Sequence, residues 1–164
     1  MRREPAPPLQ ELASGSPYMA ELSVTQHTGA ASQEFFHHDI TNAYRNLTNV
    51  ALRLRPRGSS GRAVMLMAHL DATIGSVGAS DCATCVGVAI EAARAILSSP
   101  EPLASDLIVL LNGGEETLMQ AAHGFYTQHP VRGAACKGGT RCAHLVRQRG
   151  PSPSCSGWRT PGPF

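Results

Sequence analysis

Charge is scarce in this sequence. Of 164 residues only 14 are Lys or Arg and 12 are Asp or Glu, leaving a net charge of +2. A nucleic-acid partner would ask for a basic face with aromatics interleaved. Here the basic residues are scattered and aromatics make up 5%, which excludes that partner class. Long apolar runs are missing too. A bilayer span needs roughly 20 consecutive apolar residues, and the best run, Ala63 to Ala68, is only strand-sized, so no membrane span is expected in this chain. The opening stretch, MRREPAPPLQELASGSPYMAELSV, is broken by Pro and acidic residues where an export signal needs a continuous apolar segment; no such signal is legible. Five Cys is an odd number, and only Cys82 and Cys85 lie in a patterned region. No disulfide framework is implied, and the redox compartment stays open.

What is present is enough for about one domain, with a hydrophobic content of 42%. Pro and Gly concentrate at the two ends, dividing the chain into a loose segment 1–20, a patterned segment 21–130 and a tail 131–164. A turn of helix is expected around Leu9 to Leu12. ELSVTQ alternates like a short strand, TGAASQ reads as a turn, and LTNVALRLRP, with Leu47, Val50, Leu52 and Leu54 near period two, reads as a second strand ended by Pro56. AVMLMAHLD and DLIVLLN are continuous apolar runs of strand length, as expected for strands covered on both faces. Between them Val86, Ile90, Ala93 and Leu97 predict a helix, with Ser80 or Asp81 as N-cap and Ser98-Ser99-Pro100 as the stop. Leu118, Ala121, Ala122 and Phe125 predict another, ending before His129-Pro130. Strand, helix, strand, helix is a crossover unit built on a parallel pair.

In such sheets ligands sit beyond the carboxyl ends of the strands. One end carries His69-Leu70-Asp71, the next carries Glu115-Glu116 after an Asn112-Gly113-Gly114 corner, and the intervening helix opens with Asp81. One imidazole and four carboxylates therefore gather at one sheet edge. Like charges so close raise one another's pKa or need a cation, and a divalent metal answers that need. Zinc takes imidazole nitrogen and carboxylate oxygen at roughly 2.0 to 2.2 Å, and two ions about 3.5 to 4 Å apart can share a carboxylate and an activated water. In this reading His69 is a ligand, Asp81 the bridge, and Asp71 the partner that fixes the imidazole tautomer. One glutamate of the pair binds metal while the other is the general base.

HLD, GASD, NGGEE and HGF, in this order, resemble the co-catalytic di-zinc aminopeptidase family (peptidase clan MH), and within it the endoplasmic reticulum metallopeptidase branch. The resemblance covers about residues 21 to 130. It implies a zinc-exopeptidase-like fold, a three-layer α/β/α sandwich with a mixed, partly parallel sheet, here incomplete. It implies a hydrolase that cleaves an N-terminal residue from a peptide substrate with two zinc ions, in which His69, Asp81 and Glu116 bind metal, Glu115 is the base and Asp71 orients His69. The order within the Glu pair comes from the resemblance alone. So does placement in the endoplasmic reticulum, where the relatives are anchored by membrane spans that this chain lacks.

No Asp or Glu follows Glu116, so the acidic ligand that the family takes from a later strand has no counterpart. The tail, rich in Arg, Gly, Pro and Ser, cannot bury enough surface to order itself, and His144 within it is not read as the family's final histidine. The expectation is a C-terminally truncated chain, through a shifted frame, an alternative exon or a gene-model fragment, with little or no activity of its own. Two alternatives stand beside it: a non-enzymatic fragment that associates through its exposed sheet edge, and glutaminyl-cyclase-like acyl transfer on the same fold. Cys82-Ala83-Thr84-Cys85 lacks a second C-x-x-C and reads as a pair of small buried thiols. His123 reads as a packed or outer-layer histidine, and His37, His38 and His129 as surface or turn residues. Asn46-Leu47-Thr48 is a glycosylation sequon, relevant only in a secretory lumen.

Overall fold

The computed structural model describes residues 9–128. The elements run α1 (Leu9–Gly15), β1 (Tyr18–Phe35), β2 (His38–Pro56), β3 (Ala63–His69), α2 (Thr84–Leu97), β4 (Asp106–Asn112) and α3 (Gln120–Gln128), with one wide helical turn, Ala79–Ala83, leading into α2. The strands form one sheet in the order β1-β2-β4-β3. β1 with β2 and β2 with β4 are antiparallel, while β3 and β4 are parallel, in register from Ala63↔Asp106 to His69↔Asn112. The sheet is therefore mixed and partly parallel. Expectations that fall on His129, His144 and the tail lie outside the described residues. Among the described residues no helix is long and apolar enough to cross a membrane.

Successive side chains of a strand point to opposite faces, and the continuous apolar run of β4 feeds both. Leu107 and Val109 pack with Ala89, Ala93 and Leu97 of α2, together with Leu54, Tyr18 and the apolar side of α1. Leu110, one residue out of phase, packs with Ala51 and with Phe125 of α3, while Met65 and Met67 of β3 close in from the side. Helices on both faces of the sheet make a three-layer α/β/α sandwich. Leu54, Leu110 and Phe125 are at most 1% exposed, and burying each such side chain stabilises the fold by about 1.5–3 kcal/mol.

Three local expectations are corrected. TGAASQ is not a turn: β1 runs through it, with a bulge between His27 and Gly29, and the reversal comes at Phe36-His37, both at positive φ. The small residues there fit an approach rather than a corner. Gly29 lies where a Cβ would stand 2.9 Å from the Tyr44 hydroxyl. The last helix begins at Gln120 rather than Leu118, because Leu118 and Met119 adopt left-handed backbone angles, φ 71 and 58. Neither Ser80 nor Asp81 caps α2. Its N-cap is Ala83, without a side-chain bond, since Asp81 is turned toward His69.

α3 is fastened to the long hairpin by buried polar contacts. The Tyr44 hydroxyl and His123 Nδ1 lie 2.7 Å apart, and Asn49 Nδ2 donates to the carbonyl of Ala121 at 2.9 Å. Gly124 is required by the closeness of this packing, because a Cβ there would lie 2.5 Å from Cβ of His27. HGF is thus a packing motif in this chain, with His123 and Phe125 buried and Gly124 at the contact.

Candidate metal centre

β3 and β4 end side by side, and the chain leaves both at the same edge. Leu70 N–H donates to the carbonyl of Asn112, which pins the two exits together, and Gly113 N–H donates to the carbonyl of Thr48, which ties the exit of β4 to β2. Gly114, at φ 68, makes the corner that presents Glu115 and Glu116.

The imidazole of His69 lies at the centre. Its Nδ1 is 2.9 Å from the backbone carbonyl of Asp71. A carbonyl only accepts, so Nδ1 carries the proton. Nε2 then faces Oδ1 of Asp81 at 3.0 Å and Oε2 of Glu115 at 3.9 Å. A neutral ring would point a lone pair at an anionic oxygen, which is unfavourable unless a proton or a cation lies between them. Burial alone would lower the pKa of His69. The bonds to the Asp71 carbonyl and the Asp81 carboxylate, with the charges of Glu115 and Asp71, outweigh it and raise the pKa. Glu115 is pushed up as well, first by burial and then by Glu116, Asp71 and Asp81, against the pull of His69.

Asp71 does something the sequence did not announce. Its Oδ1 accepts the N–H of Glu115 and its Oδ2 the N–H of Glu116, each at 3.0 Å. The imidazole is held by Asp71's backbone carbonyl, with the carboxylate farther off at 3.6 Å. Backbone donors carry no residue identity, so no motif could have signalled these two bonds. The structure thus brings His69, Asp71, Asp81 and Glu115 together. Glu116 is directed elsewhere, its Oε1 accepting Thr73 N–H at 3.1 Å.

Among the described residues one group has potential donor atoms within 4.8 Å of one another: His69, Asp81 and Cys82. It is a single, incomplete metal-ligand cluster. Cys82 was missed by the sequence reading, although its place directly after Asp81 was a usable signal. Cys82 and Cys85 are not free thiols but a disulfide, which corrects that expectation; Cys82 is buried and Cys85 exposed. The Asp81–Cys82 peptide bond is cis.

The sequence matches Peptidase family M28 over residues 49–139, more than half of the chain. The chain belongs to that family. Endoplasmic reticulum metallopeptidase 1 of Mus musculus is 38% identical over 122 residues, 74% of this chain and 14% of that protein. The Homo sapiens protein of the same name is 40% identical over 122 residues, 74% of this chain and 13% of its own length. The chain therefore spans about one-seventh of these curated relatives. Among solved structures, a glutaminyl cyclase of Porphyromonas gingivalis superposes with a TM-score of 0.50 at 17% identity, covering 76% of this chain and 42% of that one. At that identity the likeness concerns the fold alone. The M28 family match and the strand-end cluster meet at the same residues, since His69, Asp81 and Glu115 all fall within 49–139.

Proposed function

We propose that this chain carries part of the active site of a zinc-dependent peptidase of the aminopeptidase type. The observation that supports this most is the meeting of an Nδ1-protonated imidazole and two carboxylate oxygens at His69, Asp81 and Glu115, a donor arrangement that favours a divalent cation. His69 Nε2 and an Asp81 oxygen would hold the ion. Glu116 would join by turning from Thr73 N–H, and Asp81 would bridge to a second ion as in the two-zinc arrangement. When bound, zinc supplies Lewis acidity toward the scissile carbonyl and lowers the pKa of water.

The remaining steps belong to the side chains. Glu115, whose carboxyl is raised toward the working range of a general base, takes the proton of the attacking water and returns it to the leaving amine. Asp71 keeps His69 in one tautomer through its carbonyl and fixes the Glu115 backbone through its carboxylate. The donor set among the described residues is small, so metal affinity and turnover by this chain alone are expected to be low. The name of the mammalian relatives supports the endoplasmic reticulum as the compartment of the whole protein.

The test combines zinc analysis with hydrolysis of an aminoacyl chromogenic substrate, on this chain and on Glu115→Gln. Bound zinc in both, with hydrolysis lost only in the variant, supports the reading. No zinc uptake even under saturating supply, or measurable hydrolysis unaffected by the substitution, overturns it, while zinc uptake with no hydrolysis by either chain leaves the non-enzymatic fragment as the reading.

A further inference from the structure

The Cys82–Cys85 disulfide sits where the cluster meets α2, and its two ends have different surroundings. Cys82 is buried next to Asp81, with its sulfur within 4.8 Å of the donor atoms of His69 and Asp81. Cys85 is exposed in the first turn of α2. A disulfide sulfur is a poor ligand, whereas a thiolate is a strong zinc donor. The bond therefore withholds from the cluster a donor that is already in place, and the end that solution can reach is the other one.

We propose that the Cys82–Cys85 disulfide is a thiol-operated gate on the metal site: closed, it leaves His69 and carboxylates as donors; opened, it adds the sulfur of Cys82 and tightens the hold on zinc. The proposal rests on the reading of His69 and Asp81 as metal donors. The reductant is a dithiol. One of its thiolates attacks Sγ of the exposed Cys85, the S–S bond breaks, and the electron pair leaves on Sγ of Cys82 beside His69 and Asp81. The second thiol attacks the mixed disulfide, departs as the oxidised dithiol, and leaves Cys85 as a thiol. The protein gains two electrons and two protons, and the dithiol loses them. Metal uptake sends the Cys82 proton to solvent. Linkage makes the effect reciprocal: bound metal shields Cys82 from reoxidation by the same factor by which reduction tightens binding.

The full chain, with Cys136, Cys142 and Cys155 changed to Ser, isolates the pair. Alkylation and mass measurement before and after dithiol treatment establish its state, and Co²⁺ is then titrated into desalted oxidised and reduced protein under argon. The reduced form is expected to bind at least about tenfold more tightly, the scale on which even outer partners alter such sites, and to show a thiolate-to-cobalt charge-transfer band absent from the oxidised form. Cys82→Ser should lose both effects, while Cys85→Ser should show both without reductant. Equal affinity in the two forms with no charge-transfer band overturns the gate and leaves the metal site standing. If neither form binds Co²⁺, or His69→Ala binds as well as its parent, the metal-site reading fails and the gate fails with it.

Discussion

The parallel pair β3 and β4 has carboxylates at both ends, and the two ends treat them in opposite ways. At the amino end Asp106 is 1% exposed and fully partnered. Its Oδ2 accepts from Arg53, with Arg55 3.5 Å away, and its Oδ1 accepts from Ser59. At the carboxyl end Asp71, Asp81, Glu115 and Glu116 share a neighbourhood in which, among the described residues, the cationic partner is the imidazole of His69. The pKa directions follow. Burial would raise Asp106, but the bonds from Ser59 and Arg53 and both guanidinium charges lower it, whereas Glu115 is raised by burial and by its acidic neighbours. A carboxylate placed for the fold brings its cation with it. The other end gathers its carboxylates around a single imidazole, the arrangement on which the proposed metal site rests.

The contrast is broken most severely at the paired end. Asp106→Ala should cost about 3–5 kcal/mol, because it strands the mostly buried Arg53 guanidinium; urea unfolding would read it as a lowered midpoint. The acidic end should respond instead to metal. Zinc at a hundredfold excess over its dissociation constant should stabilise the chain by about 2.7 kcal/mol, and His69→Ala should abolish that gain in a thermal melt.

Acid should move the two ends in opposite directions. The folded pKa of Asp106 is depressed, so its stabilisation is present above the unfolded carboxylate pKa and is lost as pH falls through the folded value. The folded pKa of Glu115 is raised, so its contribution is present below the unfolded pKa and is lost as pH rises through the folded one. Metal-free unfolding followed across the acid range should therefore show a shallower acid loss in Asp106→Asn than in the parent. The smallest effect is a gain. Glu115→Gln should stabilise the metal-free chain by about 0.5 kcal/mol at neutral pH by removing one of the crowded charges, with a raised urea midpoint as the readout.

The interior of the fold was legible because its patterns are periodic. The runs at Ala63 and Asp106 and the helical spacing from Val86 to Leu97 carry their own register, and β3, β4 and α2 lie there. The outer hairpin was legible only in part: ELSVTQ and LTNVALRLRP lie in β1 and β2, but Gly29 makes room for the Tyr44 hydroxyl and Gln128 of α3, and small residues in sequence look like a turn. At the site, the rule that ligands gather beyond strand ends drew attention to His69, Asp81 and Glu115, which the structure brings together. The direction of Glu116 toward Thr73 and the double acceptance by Asp71 depend on backbone amides and could not be read. The disulfide escaped because Cys-x-x-Cys is written identically whether bonded or free.

Asp71 gives the edge of the sheet a mechanical property. One oxygen holds Glu115, the other holds Glu116, and the carbonyl of the same residue holds His69, so the loops leaving two different strands are riveted at a single point. Neither loop can drift without dragging the other. The imidazole and the backbone of the acidic pair consequently share one anchor, and a displacement of Asp71 disturbs all three together.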